Sequence, residues 1–224
     1  MIKKIFLKTA LVFSTLTIAT SATAAADYGF ESGDFTGFSL TGNGSVVSSF
    51  SGLVPTEGTY FALLKTPGFD GDGSSTDTSV FGGTTGTILS LHFDLAPFQE
   101  FSFNYAFVSE EVTRGTPADD FSAFGDITTG VYFGLRDVNH LISSYPGEGQ
   151  TGWRTGAFSF MDSSSHSITM SWIVSNVGDN NVSSYLLIDH IQITTVPESE
   201  TYAMLLVGLG LIGYMLRNRK TVII

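Results

Sequence analysis

The sequence predicts an all-β domain, a sandwich or a barrel, and three observations carry that reading. Between Asp27 and Thr195, apolar and polar residues alternate in run after run. Glycine-rich turns separate the runs, and no extended stretch of helical period interrupts them. A period of two sends alternate side chains to opposite faces, as a half-buried strand requires.

The elements follow in order. Leu89, Leu91, Phe93 and Leu95 alternate with Ser90, His92 and Asp94. Phe101, Phe103, Tyr105 and Phe107 alternate with Ser102, Asn104 and Ala106. Val131, Phe133 and Leu135 make a shorter run. Ile168, Met170, Trp172 and Val174 make another, and this places Trp172 in the core. Tyr185 to Ile193 is a β-prone stretch broken only by Asp189 and its neighbour His190. The segments Phe69–Gly73, Phe81–Gly83, Tyr145–Gly147 and Val177–Asn180 supply turns. Val196-Pro197 closes the domain.

Both ends of the 224-residue chain read as non-globular. Lys3, Lys4 and Lys8 precede an apolar stretch and then Ser21–Ala26, rich in small residues, so residues 1–26 are expected to be a secretory signal peptide. Signal peptidase and the general secretion machinery are the partners this implies. The chain contains no cysteine, which excludes disulfides and thiolate metal sites, so residues 27–195 must hold together by burial. Of ten Lys and Arg, six lie in the terminal segments; of twenty-one acidic residues only Glu198 and Glu200 do. The middle therefore carries four cations against nineteen carboxylates, a balance that repels nucleic acid.

Thr201 to Leu216 is free of formal charge and is followed by Arg217, Arg219 and Lys220. As a helix it would span about 24 Å, somewhat less than a hydrocarbon core of about 30 Å. Snorkelling by the flanking cations makes up the difference, and their cytoplasmic preference places the acidic domain outside. Gly208, Gly210 and Gly213 match a dinucleotide-loop pattern formally. They lie inside an apolar stretch with no preceding strand, which excludes that reading.

Val196-Pro197-Glu198, the apolar span and the basic cluster, in that order, resemble the PEP-CTERM sorting signal of exported bacterial proteins. The resemblance implies recognition by exosortase, processing near Pro197-Glu198, and delivery to the cell surface or an exopolysaccharide matrix. Ser199 stands where the motif's second proline would be, and residues 221–224 form an atypical apolar extension. Phe30-Glu31 with Gly33 and Gly37, Phe107–Glu111 with Asp119–Phe121, and Leu186–Ile191 resemble exported jelly-roll modules of the choice-of-anchor kind. That likeness implies a sandwich of jelly-roll type whose first and last strands pair. It also implies a structural calcium shared by Glu31 and Asp189.

Calcium takes six to eight hard oxygen ligands, which carboxylates and carbonyls supply. Asp70, Asp72 and Asp77 form a weaker candidate, because the loop lacks the EF-hand's glycine and final glutamate. Trp153, in a Gly-rich neighbourhood, is either a platform for stacking a sugar ring or a core-edge residue. Glu110-Glu111 and Asp119-Asp120 would serve glycoside hydrolysis only if two carboxylates faced one cleft, and adjacent strand residues point apart. The histidines lack metal-ligand spacing, and no serine sits in a nucleophile elbow, so no catalytic residue is assigned. The expectation is an exported, non-catalytic surface or matrix protein. Its alternative is a lectin-like carbohydrate-binding module, and a glycoside hydrolase ranks below both.

Overall fold

The structure is a computed structural model that describes residues 26–68, 74–109, 120–126, 129–137, 143–145, 148–159, 164–178, 182–195 and 199–218. Residues 1–25 of the expected signal peptide, Asp70, Asp72, Glu110, Glu111, Asp119, Val196–Glu198, Arg219, Lys220 and residues 221–224 lie outside these. The backbone of Arg217 is described, but not its side chain.

Among the described residues, fourteen strands come first: β1 (Ala26–Asp27), β2 (Phe38–Thr41), β3 (Asn43–Val47), β4 (Phe61–Lys65), β5 (Thr76–Asp77), β6 (Thr85–Leu95) and β7 (Gln99–Ser109). They continue as β8 (Phe121–Asp126), β9 (Val131–Asp137), β10 (Ser143–Tyr145), β11 (Glu148–Gln150), β12 (Arg154–Ser159), β13 (His166–Ser175) and β14 (Ser184–Thr195). One helix, α1 (Ser199–Asn218), follows.

The first sheet has the order β10-β11-β7-β14-β4-β3, with β1 added to β14 and β12 to β7. The second runs β2-β6-β13-β8-β9, with β5 added to β6. Every pairing is antiparallel. First and last strands pair, with Ala26 opposite Ile193 and Asp27 opposite Gln192. The four alternating runs lie within β6, β7, β9 and β13, and the β-prone stretch Tyr185–Ile193 within β14.

The two sheets close on one core. Leu89, Leu91, Phe93, Ile168, Met170 and Trp172 of the second sheet meet Phe101, Phe103, Phe107, Leu186 and Ile188 of the first. Phe93 and Phe101 stack between the sheets, with centroids 4.7 Å apart and planes within 8°. Trp172 is fully buried and meets Phe103 edge to face at 5.3 Å. Such pairs add about 0.5–1.5 kcal/mol beyond area burial.

A second apolar cluster lies on the opposite side of the first sheet. Phe61, Leu63, Ala106, Val108, Tyr185 and Leu187 project there and are covered by Val47, Phe50, Leu53 and Trp153. Val47 ends β3 and Trp153 precedes β12, while Phe50 and Leu53 belong to residues 48–60, which connect β3 to β4. Val47 and Phe61 are register partners, so a short turn would have joined these strands. The chain instead folds over the sheet as a strap.

Expected across 201–216, the terminal helix runs from Ser199 to Asn218. Met204, Leu205, Leu206, Val207, Leu209, Leu211, Ile212 and Tyr214 are exposed along it. Among the described residues, no helix is long and apolar enough to cross a membrane.

Candidate functional site

Glu31 and Asp189, far apart in sequence, are brought to the same strap. Phe30 enters the core and stacks on Phe38 at 4.9 Å, which fixes the backbone from which Glu31 reaches out. The Thr59 N–H donates to both Glu31 carboxylate oxygens, at 3.0 and 2.9 Å, and the Tyr60 N–H donates at 3.1 Å. These backbone bonds hold the Glu31 carboxyl below its ordinary value. Gly58 makes room, for it has φ +64° and a Cβ there would run into the Glu31 carboxylate.

Asp189 continues the outward parity of Tyr185 and Leu187 on β14 and is buried under the strap. Its Oδ2 accepts from the Thr56 N–H (2.6 Å), the Thr56 hydroxyl (2.7 Å) and the Glu57 N–H (3.1 Å). Oδ1 accepts from the His190 N–H at 2.8 Å. The Asn104 amide donates to Thr56 Oγ1 (3.0 Å), and Thr155 donates to Asn104 (2.9 Å). A bulge follows in β14, where the register shifts between Asp189 and Gln192 and His190 has φ +51°. That extra residue returns Ile191 and Ile193 to the core. It also presents His190 Nδ1 to the Glu57 carboxylate.

Asp27, on β1 beside the bulge, is held above its ordinary value. Burial is the first cause; the charges of Glu57, Asp189 and Glu31 add to it, and His190 opposes them. Four carboxylates and an imidazole thus share one end of the strap. The oxygens of Glu31 and Asp189 already receive N–H and O–H donors, so a cation is not needed to satisfy them. Among the described residues, no group of three or more His, Asp or Glu is arranged to hold a metal.

The other predicted residues are placed as follows. Asp77 accepts the Ser79 N–H at 2.8 Å and caps a short 3-10 turn over Ser79–Phe81, which lowers its carboxyl. Trp153 is half-buried in the outer cluster. Its ring meets Phe61 edge to face at 5.5 Å, and its indole N–H donates to the Val54 carbonyl at 2.8 Å. Asp120 is buried and accepts from the Ser184 hydroxyl (2.7 Å) and the Val177 N–H (3.1 Å), so it faces no open cleft.

A second candidate surface lies on the outer face of the second sheet. The register sets Ser39, Ser90, Ser171, Gly125 and Tyr132 in one row across five strands. The 3-10 turn folds over this face, and Phe81 meets Tyr132 edge to face at 4.5 Å. Beyond the row lie His92 and Asp94, both exposed, with Thr169 and Ser167 opposite them. His92 Nδ1 stands 3.1 Å from the Thr169 hydroxyl, Ser167 donates to Asp94 at 2.8 Å, and Ser90 and Ser171 share a bond of 2.7 Å. Serine, histidine and aspartate are all present, but in the wrong order for acyl transfer. The carboxylate accepts the serine's hydrogen bond instead of orienting the imidazole, whose Nε2 stands 3.4 Å from the same Ser167 hydroxyl.

Sequence reasoning did not single out Thr56, Glu57, Asn104, Phe81 or Tyr132. The outward positions of His92 and Asp94 were legible from the alternation, whereas the strap's return over the sheet left no periodic signal.

No family model matches the chain, and no curated protein matches it. Several solved structures are similar at low identity. One is TmCBM61 in complex with β-1,4-galactotriose: 16% identity, 75% of this chain and 94% of that chain covered, TM-score 0.39. Another is the K1 cleaved adhesin domain of Lys-gingipain from Porphyromonas gingivalis W83: 11% identity, 77% and 99% covered, TM-score 0.45. A third is the family 11 carbohydrate-binding module of the cellulosomal cellulase Lic26A-Cel5E of Clostridium thermocellum: 11% identity, 80% and 98% covered, TM-score 0.34.

Proposed function

We propose that the chain is an exported, non-catalytic carbohydrate-binding β-sandwich that works at the cell surface or in an exopolysaccharide matrix. The observations that carry this are the ladder of His92, Asp94, Ser167 and Thr169 on β6 and β13, and the Phe81–Tyr132 pair on the same outer face, with Tyr132 two strands away from β13 on β9. A sugar presents apolar C–H faces and a rim of hydroxyls. An aromatic wall next to hydroxyl, imidazole and carboxylate groups complements both. Nothing in that ladder activates a nucleophile, so binding is the chemistry it suits.

The test is a polysaccharide array probed with the protein and with Tyr132→Ala, His92→Ala and Trp153→Ala. Loss of binding on changing Tyr132 and His92 supports the second-sheet surface, and loss confined to Trp153→Ala moves the ligand to the strap. Absence of binding to any glycan overturns the carbohydrate reading and leaves a structural or adhesive role.

Delivery is proposed to follow the terminal segments. The signal peptide engages the secretion machinery, and Val196-Pro197-Glu198, the helix and Arg217, Arg219 and Lys220 address the chain to exosortase. Mass spectrometry of the exported protein decides this, since an intact basic segment would leave a membrane anchor in its place. Structural calcium at Glu31 and Asp189 is proposed because Asp27 and Glu57 gather beside them, and a divalent cation would offset the repulsion that adds to burial in raising the Asp27 carboxyl. An equal melting temperature in calcium and in chelator removes that proposal.

A further inference from the structure

The strap is fastened unlike the rest of the molecule. Residues 48–60 make their own turn, in which Phe50 and Leu53 exchange backbone bonds of 3.0 and 2.8 Å. Ser51 (φ +47°) and Gly52 (φ +79°) form its tip. Phe50 rests on Tyr185 at 4.6 Å. The strap's other bonds to the sandwich run through side chains at separate points. Gln150 donates to the Ser51 carbonyl (3.3 Å) and Trp153 to the Val54 carbonyl (2.8 Å). Asp189 holds Thr56 and Glu57, Asn104 holds Thr56, and Glu31 holds Thr59 and Tyr60.

Below it, the outward faces of β4, β7 and β14 keep their ladder bonds whether or not the strap is there. The main core, on the other side of the sheet, includes none of the strap's residues except its last, Tyr60, which is partly buried against it. An element joined by scattered side-chain bonds over a complete sheet has the makings of a separate opening unit.

We propose that residues 48–60 are a lid that opens as a unit while the sandwich stays folded, uncovering a preformed apolar face. That face consists of Phe61, Leu63, Ala106, Val108, Tyr185 and Leu187. Thr56 is the latch, because its hydroxyl donates to Asp189 and accepts from Asn104. This inference does not rest on carbohydrate binding.

Native-state hydrogen exchange on the full chain tests it. The amides of Thr56, Glu57, Thr59 and Tyr60 are expected to exchange through an opening nearly insensitive to denaturant. Those of Phe107 and Ile188 should exchange only by global unfolding. Thr56→Val keeps the side chain's shape and loses both bonds; by raising the closed state it should speed the strap amides by at least about tenfold, with their opening still nearly insensitive to denaturant, and should speed Phe107 by no more than the same factor. Equal protection of strap and central strands in the unmodified protein, with the same denaturant dependence, overturns the proposal. That measurement stands even if the variant does not fold.

Discussion

Asp189 shows how much one side chain can settle. It occupies the third outward position of β14, after Tyr185 and Leu187, and one of its oxygens collects three donors from the strap. Asp189→Ala would leave those donors without an acceptor under the strap, at a cost of about 2–3 kcal/mol in urea unfolding. Gly58 offers a second test. Its φ of +64° and its closeness to the Glu31 carboxylate both oppose a side chain. Gly58→Ala should destabilise by about 1–2 kcal/mol. In a Glu31→Ala background the collision disappears while the backbone strain remains, so the penalty should fall. A strictly additive double-mutant cycle would show that the two residues do not meet.

Among the elements, β4 and β14 depart furthest from simple alternation, for one reason. Phe61, Ala62, Leu63 and Leu64 are all buried because core lies on one side and strap on the other. Leu187→Ala on the outward face should therefore cost about as much as Ile188→Ala on the inward one, about 2–5 kcal/mol each in urea unfolding. A cost for Leu187→Ala near that of an exposed site would mean the strap does not seal the face. This double cover also explains what could be read in advance. β6, β13 and the first half of β7 carry clear alternation because there one face is core and the other is largely polar. β3 and β4 carry none, and β2 and β12 are too short for a period to register. Glu31 and Asp189 stood out from the opening and closing motifs. Their shared hold on residues 56–60 did not, since contacts across 28 to 133 residues leave no local pattern.

At the scale of the molecule, stability should respond to acid through several carboxylates. Glu31, Asp34 and Asp77 all lie below their ordinary values, each because nearby N–H or O–H groups donate to it. Their contribution is present above the unfolded-state range and is lost as pH falls through the folded values. For Glu31 the decline begins below about 4.5. Asp27 works the other way: its raised carboxyl favours the folded state as it protonates. Glu31→Gln should lower stability at neutral pH and flatten part of the acid decline in urea midpoints measured from pH 7 to 3. An unchanged profile would rule out Glu31 as a contributor. The position of β14 has a consequence of another kind. Last of the strands to leave the ribosome, it is also the one between β7 and β4 that receives β1 and presents Asp189 to the strap. Until Thr195 has emerged, the first sheet lacks its middle, and the earlier strands can only wait. The order of synthesis thus keeps β7 and β4 from being joined into one sheet until the last strand is made.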